Sequence, residues 1–204
     1  MKILIGTPIH EIKDYSMERW LESVSKLEYP ADLFLVDNSP NSDYIKKVED
    51  YCRKYGLTNY KLTHIVTTSD TSIDERLAKS REAIRREVLR HNYDAWYSLE
   101  CDVIVPPNAL TKLVDLITDS WVVSHGYPAR GNPEGFNTEF GTSLISRQAL
   151  EKYSFLNGYG YCDPFRSNVR YEGDVWFIKR ITRNQEGKYI NVNGIIKPIY
   201  HLSC

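Results

Sequence analysis

Cysteine is scarce and scattered: Cys52, Cys101, Cys162 and Cys204 are the four in the chain, and no two form a Cys-x-x-Cys pair. That spacing excludes a zinc ribbon and gives no disulfide framework, so reduced thiols are expected, a hyperthermophile cytosol being the exception. Charge of one sign is lacking as well. The 26 Lys and Arg meet 27 Asp and Glu, for a formal net charge of −1, which removes any global pull toward nucleic acid or anionic lipid. An anionic ligand must therefore be caught by a local constellation. Long apolar runs are also missing. The opening Met1-Lys2-Ile3-Leu4-Ile5-Gly6 reaches a turn too soon for a secretory signal or a membrane span, so a cytoplasmic location is expected. There is no internal repeat, and 204 residues suit one mixed domain over 1–204 rather than two.

What is present reads as strands alternating with helices. Lys2 to Ile5 is a β-rich run ended by Gly6-Thr7-Pro8, and Asp14 is placed to cap a helix carrying Met17, Trp20, Leu21, Val24 and Leu27 up to Tyr29-Pro30. Ala31 to Val36 is a second strand, closed by Asp37-Asn38-Ser39-Pro40. A helix from Asp43 to Gly56, a strand from Lys61, a long helix beginning near Thr71 to Glu75, and a strand Ala95 to Leu99 follow. Pro106-Pro107 then suits the start of a helix reaching about Ile117. In the second half, Trp121 to Ser124 and Gly141 to Ser146 read as strands, and Gly126 to Gly141 as a polar loop. This alternation implies right-handed crossovers and a mostly parallel, three-layer α/β sandwich of Rossmann type, whose ligands gather beyond the strand carboxyl ends. Thr7-Pro8, Asp37-Asn38 and Glu100-Cys101-Asp102 all fall on that rim.

Glu100 and Asp102 are two residues apart, and extended geometry through Cys101 would turn both carboxylates to one side. A hard divalent cation relieves the repulsion of such a pair and keeps positions open for phosphate oxygens. A solvated acidic turn is the plainer alternative. Asp37 is suited to accept from a base N–H or to close an Asx turn with Asn38-Ser39. Arg81, and after it Arg76, can reach a phosphate from the long helix, whereas Arg85, Arg86 and Arg90 read as a solvated face.

Tyr97-Ser98-Leu99-Glu100-Cys101-Asp102-Val103-Ile104-Val105-Pro106-Pro107 resembles the Asp-x-Asp segment of GT-A-type nucleotide-sugar glycosyltransferases, with Glu100 standing where the first Asp is usual. Other segments are similar to that family in the same order: Ile3 to Pro8, Leu33 to Ser39, Ala78-Lys79-Ser80-Arg81, Gly141 to Arg147, and Glu172-Gly173-Asp174-Val175-Trp176 with the closing Ile199-Tyr200-His201. Gly173 takes a place where an acid is usual.

The resemblance implies a GT-A-like fold with a nucleotide-binding half, 1–105, and an acceptor and catalytic half, 106–204. It also implies a metal-dependent transfer of a sugar from a nucleotide-diphosphate donor to an unnamed acceptor, with inversion. Thr7, Pro8, Asp37, Arg81, Glu100 and Asp102 would contact the donor. Asp102, Glu100 and His201 would hold Mn2+ or Mg2+, and Asp174, with Glu172 in reserve, would take the acceptor's proton. The plainer alternative is that Asp174 caps the helix Val175 to Ile181; both can hold, and the family position favours catalysis. Homo-oligomers stay open. The alternatives are a non-catalytic nucleotide-sugar or carbohydrate-binding module of the same fold and a sugar-phosphate nucleotidyltransferase. The latter lacks its Gly-rich loop here, since Gly6-Thr7-Pro8-Ile9-His10 has one glycine.

Overall fold

The computed structural model describes residues 1–68, 70–130, 132–137, 140–156, 174–183 and 187–203. Its strands are β1 (Ile3–Ile9), β2 (Asp32–Asp37), β3 (Tyr60–His64), β4 (Ala95–Leu99), β5 (Val103–Ile104), β6 (Val122–His125), β7 (Tyr127–Ala129), β8 (Asn132–Asn137), β9 (Thr142–Ser146), β10 (Tyr189–Val192) and β11 (Tyr200–His201). The helices are α1 (Asp14–Ser25), α2 (Asp43–Lys54), α3 (Ile73–Arg90), α4 (Ala109–Leu116), α5 (Arg147–Lys152) and α6 (Asp174–Arg183). Seven strands form the central sheet in the order β10-β6-β9-β4-β1-β2-β3. All neighbours are parallel except β9, which runs antiparallel to both β4 and β6. No helix among the described residues is long and apolar enough to cross a membrane.

Strand alternation builds the layers. Ile3, Ile5, Leu33, Leu35, Ala95, Tyr97 and Leu99 pack on one side with α1, α2 and α4, through Met17, Trp20, Leu21, Val48, Cys52, Leu110 and Leu113. Their neighbours in sequence, Leu4, Phe34, Val36 and Trp96, face the other way onto α3, α5 and α6, through Ile84, Val88, Ala149, Leu150, Phe177 and Ile181. A sheet covered on both faces needs strands that are apolar throughout rather than alternating with polar residues, which is what β2 and β4 display.

The expected boundaries shift in three places. β1 continues through Gly6-Thr7-Pro8 to Ile9, each residue in register with Phe34 to Asp37 of β2. Its pairing with β4 ends at Gly6, so Pro8 occupies an edge stretch, where a missing N–H is tolerated. Asp14 is the first residue of α1 rather than its cap. A 3-10 turn at Glu11–Lys13 precedes it, with the His10 ring accepting from the Ile12 N–H. The polar stretch 126–141 holds the hairpin β7–β8, because backbone pairing does not require apolar side chains.

Gly6 sits where two layers meet. A Cβ there would lie 2.3 Å from Ile84 Cγ2 and 2.6 Å from Trp96 Nε1. Gly6→Ala is therefore expected to destabilise the fold by about 1–3 kcal/mol, the usual cost of overpacking, read as a lowered urea midpoint. An unchanged midpoint would show that α3 can retreat freely.

Candidate active site

The parallel register carries three loops to one rim. Beyond the ends of β1, β2 and β4, and beneath the first turns of α3, lies a cavity of about 550 Å³ walled by Pro8, Ile9, His10, Lys13, Asn38, Pro40, Arg76, Leu77, Arg81 and the run Ser98 to Asp102. Ser72 caps α3 by accepting from the Glu75 N–H, which points the first turns of that helix, and so Arg76 and Arg81, at the rim. Of the residues expected to contact a donor, Pro8, Arg81, Glu100 and Asp102 line this cavity. Thr7 does not: it is fully buried and its hydroxyl donates to the Leu99 carbonyl at 2.8 Å, tying β1 to β4. Asp37 is also fully buried. Its Oδ1 accepts from the Ser39 amide and hydroxyl at 3.1 and 2.6 Å, and its Oδ2 faces His64 Nδ1 at 2.7 Å, so the Asx-turn alternative is the one formed and Asn38 meets the cavity instead.

Glu100-Cys101-Asp102 is not extended. The Val103 amide donates to the Glu100 carbonyl at 2.9 Å, closing a turn between β4 and β5. The turn, rather than strand alternation, converges the acids, and it leaves Cys101 buried, its thiol pushed up to about 12 by burial and by the Asp102 charge. His201 arrives from the tail through β11, which pairs antiparallel with β5 and sets His201 opposite Val103. The Leu202 amide donates to the Asp102 carbonyl at 2.8 Å and locks that register. Ligand atoms of Glu100, Asp102 and His201 consequently lie within 4.8 Å of one another.

This donor set fits a divalent cation: two carboxylates and one imidazole, with the imidazole already oriented. His201 Nδ1 lies 3.0 Å from the Pro128 carbonyl, which only accepts, so in the neutral ring Nδ1 holds the hydrogen and the Nε2 lone pair faces Asp102 Oδ2 at 3.5 Å. Burial by itself would raise the Asp102 carboxyl. The hydrogen bond and charge of Lys13, with the charge of Arg130, outweigh it and hold Asp102 below the ordinary carboxylate value. Glu100 moves the other way, up to about 6, through burial and then the Asp102 charge, with Arg81 opposing. Its Oε2 accepts from the Tyr127 hydroxyl at 3.3 Å.

Asp174 begins α6, and its Oδ2 accepts from Arg81 Nη2 at 3.2 Å and from the Phe140 amide at 3.5 Å. Arg81 stacks over the Phe140 ring at 5.5 Å and also walls the cavity, so one buried guanidinium links the cavity to Asp174. Glu172 and Gly173 lie outside the described residues.

Among solved structures, the fold is similar to the mannosyltransferase PcManGT from Pyrobaculum calidifontis in complex with GDP-Man and Mn2+. The TM-score is 0.67 and the identity 14%, over 95% of this chain and 55% of that one. It is also similar to S. aureus TarS 1–349 in complex with UDP-GlcNAc (TM-score 0.57, 15% identity, 74% of this chain and 47% of that one). A third is a putative nucleotide-diphospho-sugar transferase from Desulfovibrio desulfuricans G20 (TM-score 0.54, 12% identity, 95% of this chain and 80% of that one). The fold is GT-A. The chain spans about half the length of PcManGT and of TarS 1–349. No protein-family model and no curated protein sequence matches it.

Within this GT-A fold, several residues of the site carry no local signal in the sequence. Lys13 ends the 3-10 turn after β1, and its ammonium pairs with Asp102 Oδ2. Tyr15 donates to the same oxygen at 3.2 Å. Arg130, at the turn between β7 and β8, pairs with it too. Arg85 reads as a solvated residue, yet it donates to the Leu150 carbonyl at 2.6 Å and pairs with Glu82, which is itself buried and accepts from the Phe155 amide. That group joins α3 to α5 and does not reach the cavity.

Proposed function

We propose that the protein is a metal-dependent glycosyltransferase that moves a sugar from a nucleotide-diphosphate donor to an acceptor hydroxyl with inversion, Asp174 acting as the base. One observation carries this reading: Glu100, Asp102 and Arg81 line one cavity of about 550 Å³ at the carboxyl rim of the sheet, the two acids clustering with His201 and Arg81 pairing with Asp174. Donor complexes of PcManGT with GDP-Man and Mn2+, and of TarS with UDP-GlcNAc, support the choice of ligand class.

The nucleoside would lie against Pro8, Asn38, Pro40 and Leu77, with Thr7 and Asp37 holding the loops that shape this end. The diphosphate would lie toward Arg81, Arg76 and the acidic turn. Asp102 and His201 would hold Mn2+ or Mg2+ directly and Glu100 would complete the set, the bound ion supplying Lewis-acid stabilisation of the leaving diphosphate. Arg81 adds fixed positive charge where negative charge develops, in a wall closed to water on its Phe140 side. Asp174 Oδ2, oriented by the Arg81 guanidinium and the Phe140 amide, accepts the acceptor's proton as its oxygen attacks the anomeric carbon. Residues 1–105 thus supply the donor pocket, while 106–204 supply the base, His201 and the surface an acceptor would meet.

The test is a panel of nucleotide sugars with Mn2+, followed by calorimetry for binding and by nucleoside diphosphate release for turnover. One donor is expected to bind and to be consumed, with both signals lost in EDTA. Binding without release under every acceptor mixture would mark a binding module, and no binding at all would end the nucleotide-sugar reading.

A further inference from the structure

Arg130 stands on the two atoms that a metal ion would need. Its Nη2 donates to Asp102 Oδ2 and lies 3.2 Å from His201 Nε2. With Nδ1 committed to the Pro128 carbonyl, the neutral His201 ring has one lone pair, on Nε2, and that pair either accepts the Arg130 N–H or ligates a cation. Both cannot hold together.

Charge makes the same point. Among the described residues at this cluster, Lys13 and Arg130 both pair with Asp102, so two cations already stand on one carboxylate. A divalent ion added alone leaves a surplus of positive charge in a largely buried pocket, which an arriving diphosphate would offset.

Arg130 is also the solvent-facing member of its pair. Its side chain is 42% exposed, against 1% for Asp102. It occupies the turn of a hairpin whose β7 strand stays anchored to His201 through the Pro128 carbonyl, so the side chain can swing without unfolding the strand.

We propose that Arg130 is a displaceable counter-cation. It occupies the prospective metal ligands when no ion is bound, yields Nε2 of His201 to the divalent ion, and then pairs with the donor diphosphate while Lys13 remains on Asp102. This rests on reading Glu100, Asp102 and His201 as a metal site, and it adds that ion and nucleotide bind with positive coupling because one side chain serves both. Such coupling is reciprocal: whatever factor the nucleotide adds to ion affinity, the ion adds to nucleotide affinity.

The experiment follows Mn2+ binding by the loss of the free-ion electron paramagnetic resonance signal. Wild type, Arg130→Ala, Arg130→Gln and His201→Ala are each titrated alone and with UDP or GDP, after circular dichroism has shown each to be folded. Both Arg130 variants are expected to bind Mn2+ alone about tenfold more tightly than wild type, within the usual range of coupling between sites. The tightening by nucleoside diphosphate should be large in wild type and reduced in both variants. Arg130→Gln matching wild type while Arg130→Ala binds more tightly would assign the competition to the hydrogen bond rather than the charge and overturn the charge argument. Mn2+ affinity unchanged or weakened in both variants, with binding lost in His201→Ala, would overturn the role of Arg130 and leave the metal site standing. Equal affinity in His201→Ala and wild type, or no binding in any protein, would remove the metal site itself and the proposal with it.

Discussion

Asp174→Asn is expected to lower sugar transfer by roughly 10²–10⁴-fold, the range contributed by a positioned general base, while donor affinity changes little. The substitution is isosteric, and its Oδ1 can still accept from Arg81 Nη2 and the Phe140 amide, as Asp174 Oδ2 does. What disappears is the capacity to take a proton. The loss should therefore fall on kcat rather than on KM, a split that a merely structural role for Asp174 at the start of α6 would not produce. Nucleoside diphosphate release under saturating donor and Mn2+ is the measurement. Transfer within about threefold of wild type, with an unchanged circular dichroism spectrum, would move the base elsewhere, and Glu172 would be the next variant to make.

Trp96→Ala should cost about 3–5 kcal/mol, the usual range for removing a large aromatic from a core. Trp96 is fully buried in β4 and stands at the centre of a ring cluster, edge-on to Phe140 at 5.8 Å and to Phe155 at 5.6 Å. Phe155 in turn stacks on Phe177 of α6 at 4.6 Å. Its indole N–H donates to the Gly6 carbonyl at 2.8 Å, so the same side chain ties β4 to β1. Against a typical total stability of about 5–15 kcal/mol, a loss of that size brings a domain near its folding threshold. Phe140 also supplies the amide that meets Asp174, so activity should fall before the protein unfolds. Equilibrium urea denaturation measures the effect, and Trp96→Phe, which keeps most of the volume, should lose less than half as much. A loss below 1 kcal/mol for Trp96→Ala would mean that the cluster repacks around the gap, and that α6 and Asp174 are not held by it.

Much of the scaffold was legible because its signals are local. Apolar runs such as Leu33 to Val36 and Ala95 to Leu99, the helical spacing of Met17, Trp20, Leu21 and Val24, and the polar residues after each strand report burial directly. Where local rules failed, a partner strand or a tertiary contact had overridden them. β1 runs past its glycine and proline because β2 pairs with each residue through Ile9. The acids converge because Glu100 to Val103 turns, not because the strand alternates. Arg85, read as solvated, is held by Glu82 and the Leu150 carbonyl on a packed face of α3.

The amino-acid order was enough for the alternation of strands and helices that implies a mostly parallel layered sheet, for the polar residues closing the strands near Pro8, Asn38 and Glu100, and for the acidic pair, since each signal lies in residues near one another in the chain. Tertiary packing alone sets His201 beside Val103, gives the Arg81 guanidinium to Asp174, brings His64 onto Asp37, and places Lys13 and Arg130 on Asp102. The physical reason is sequence separation. Apolar periodicity reports the burial of a segment, but a charge pair between residues 28 or 89 positions apart leaves no periodic trace and is set by how the packed layers happen to juxtapose their loops.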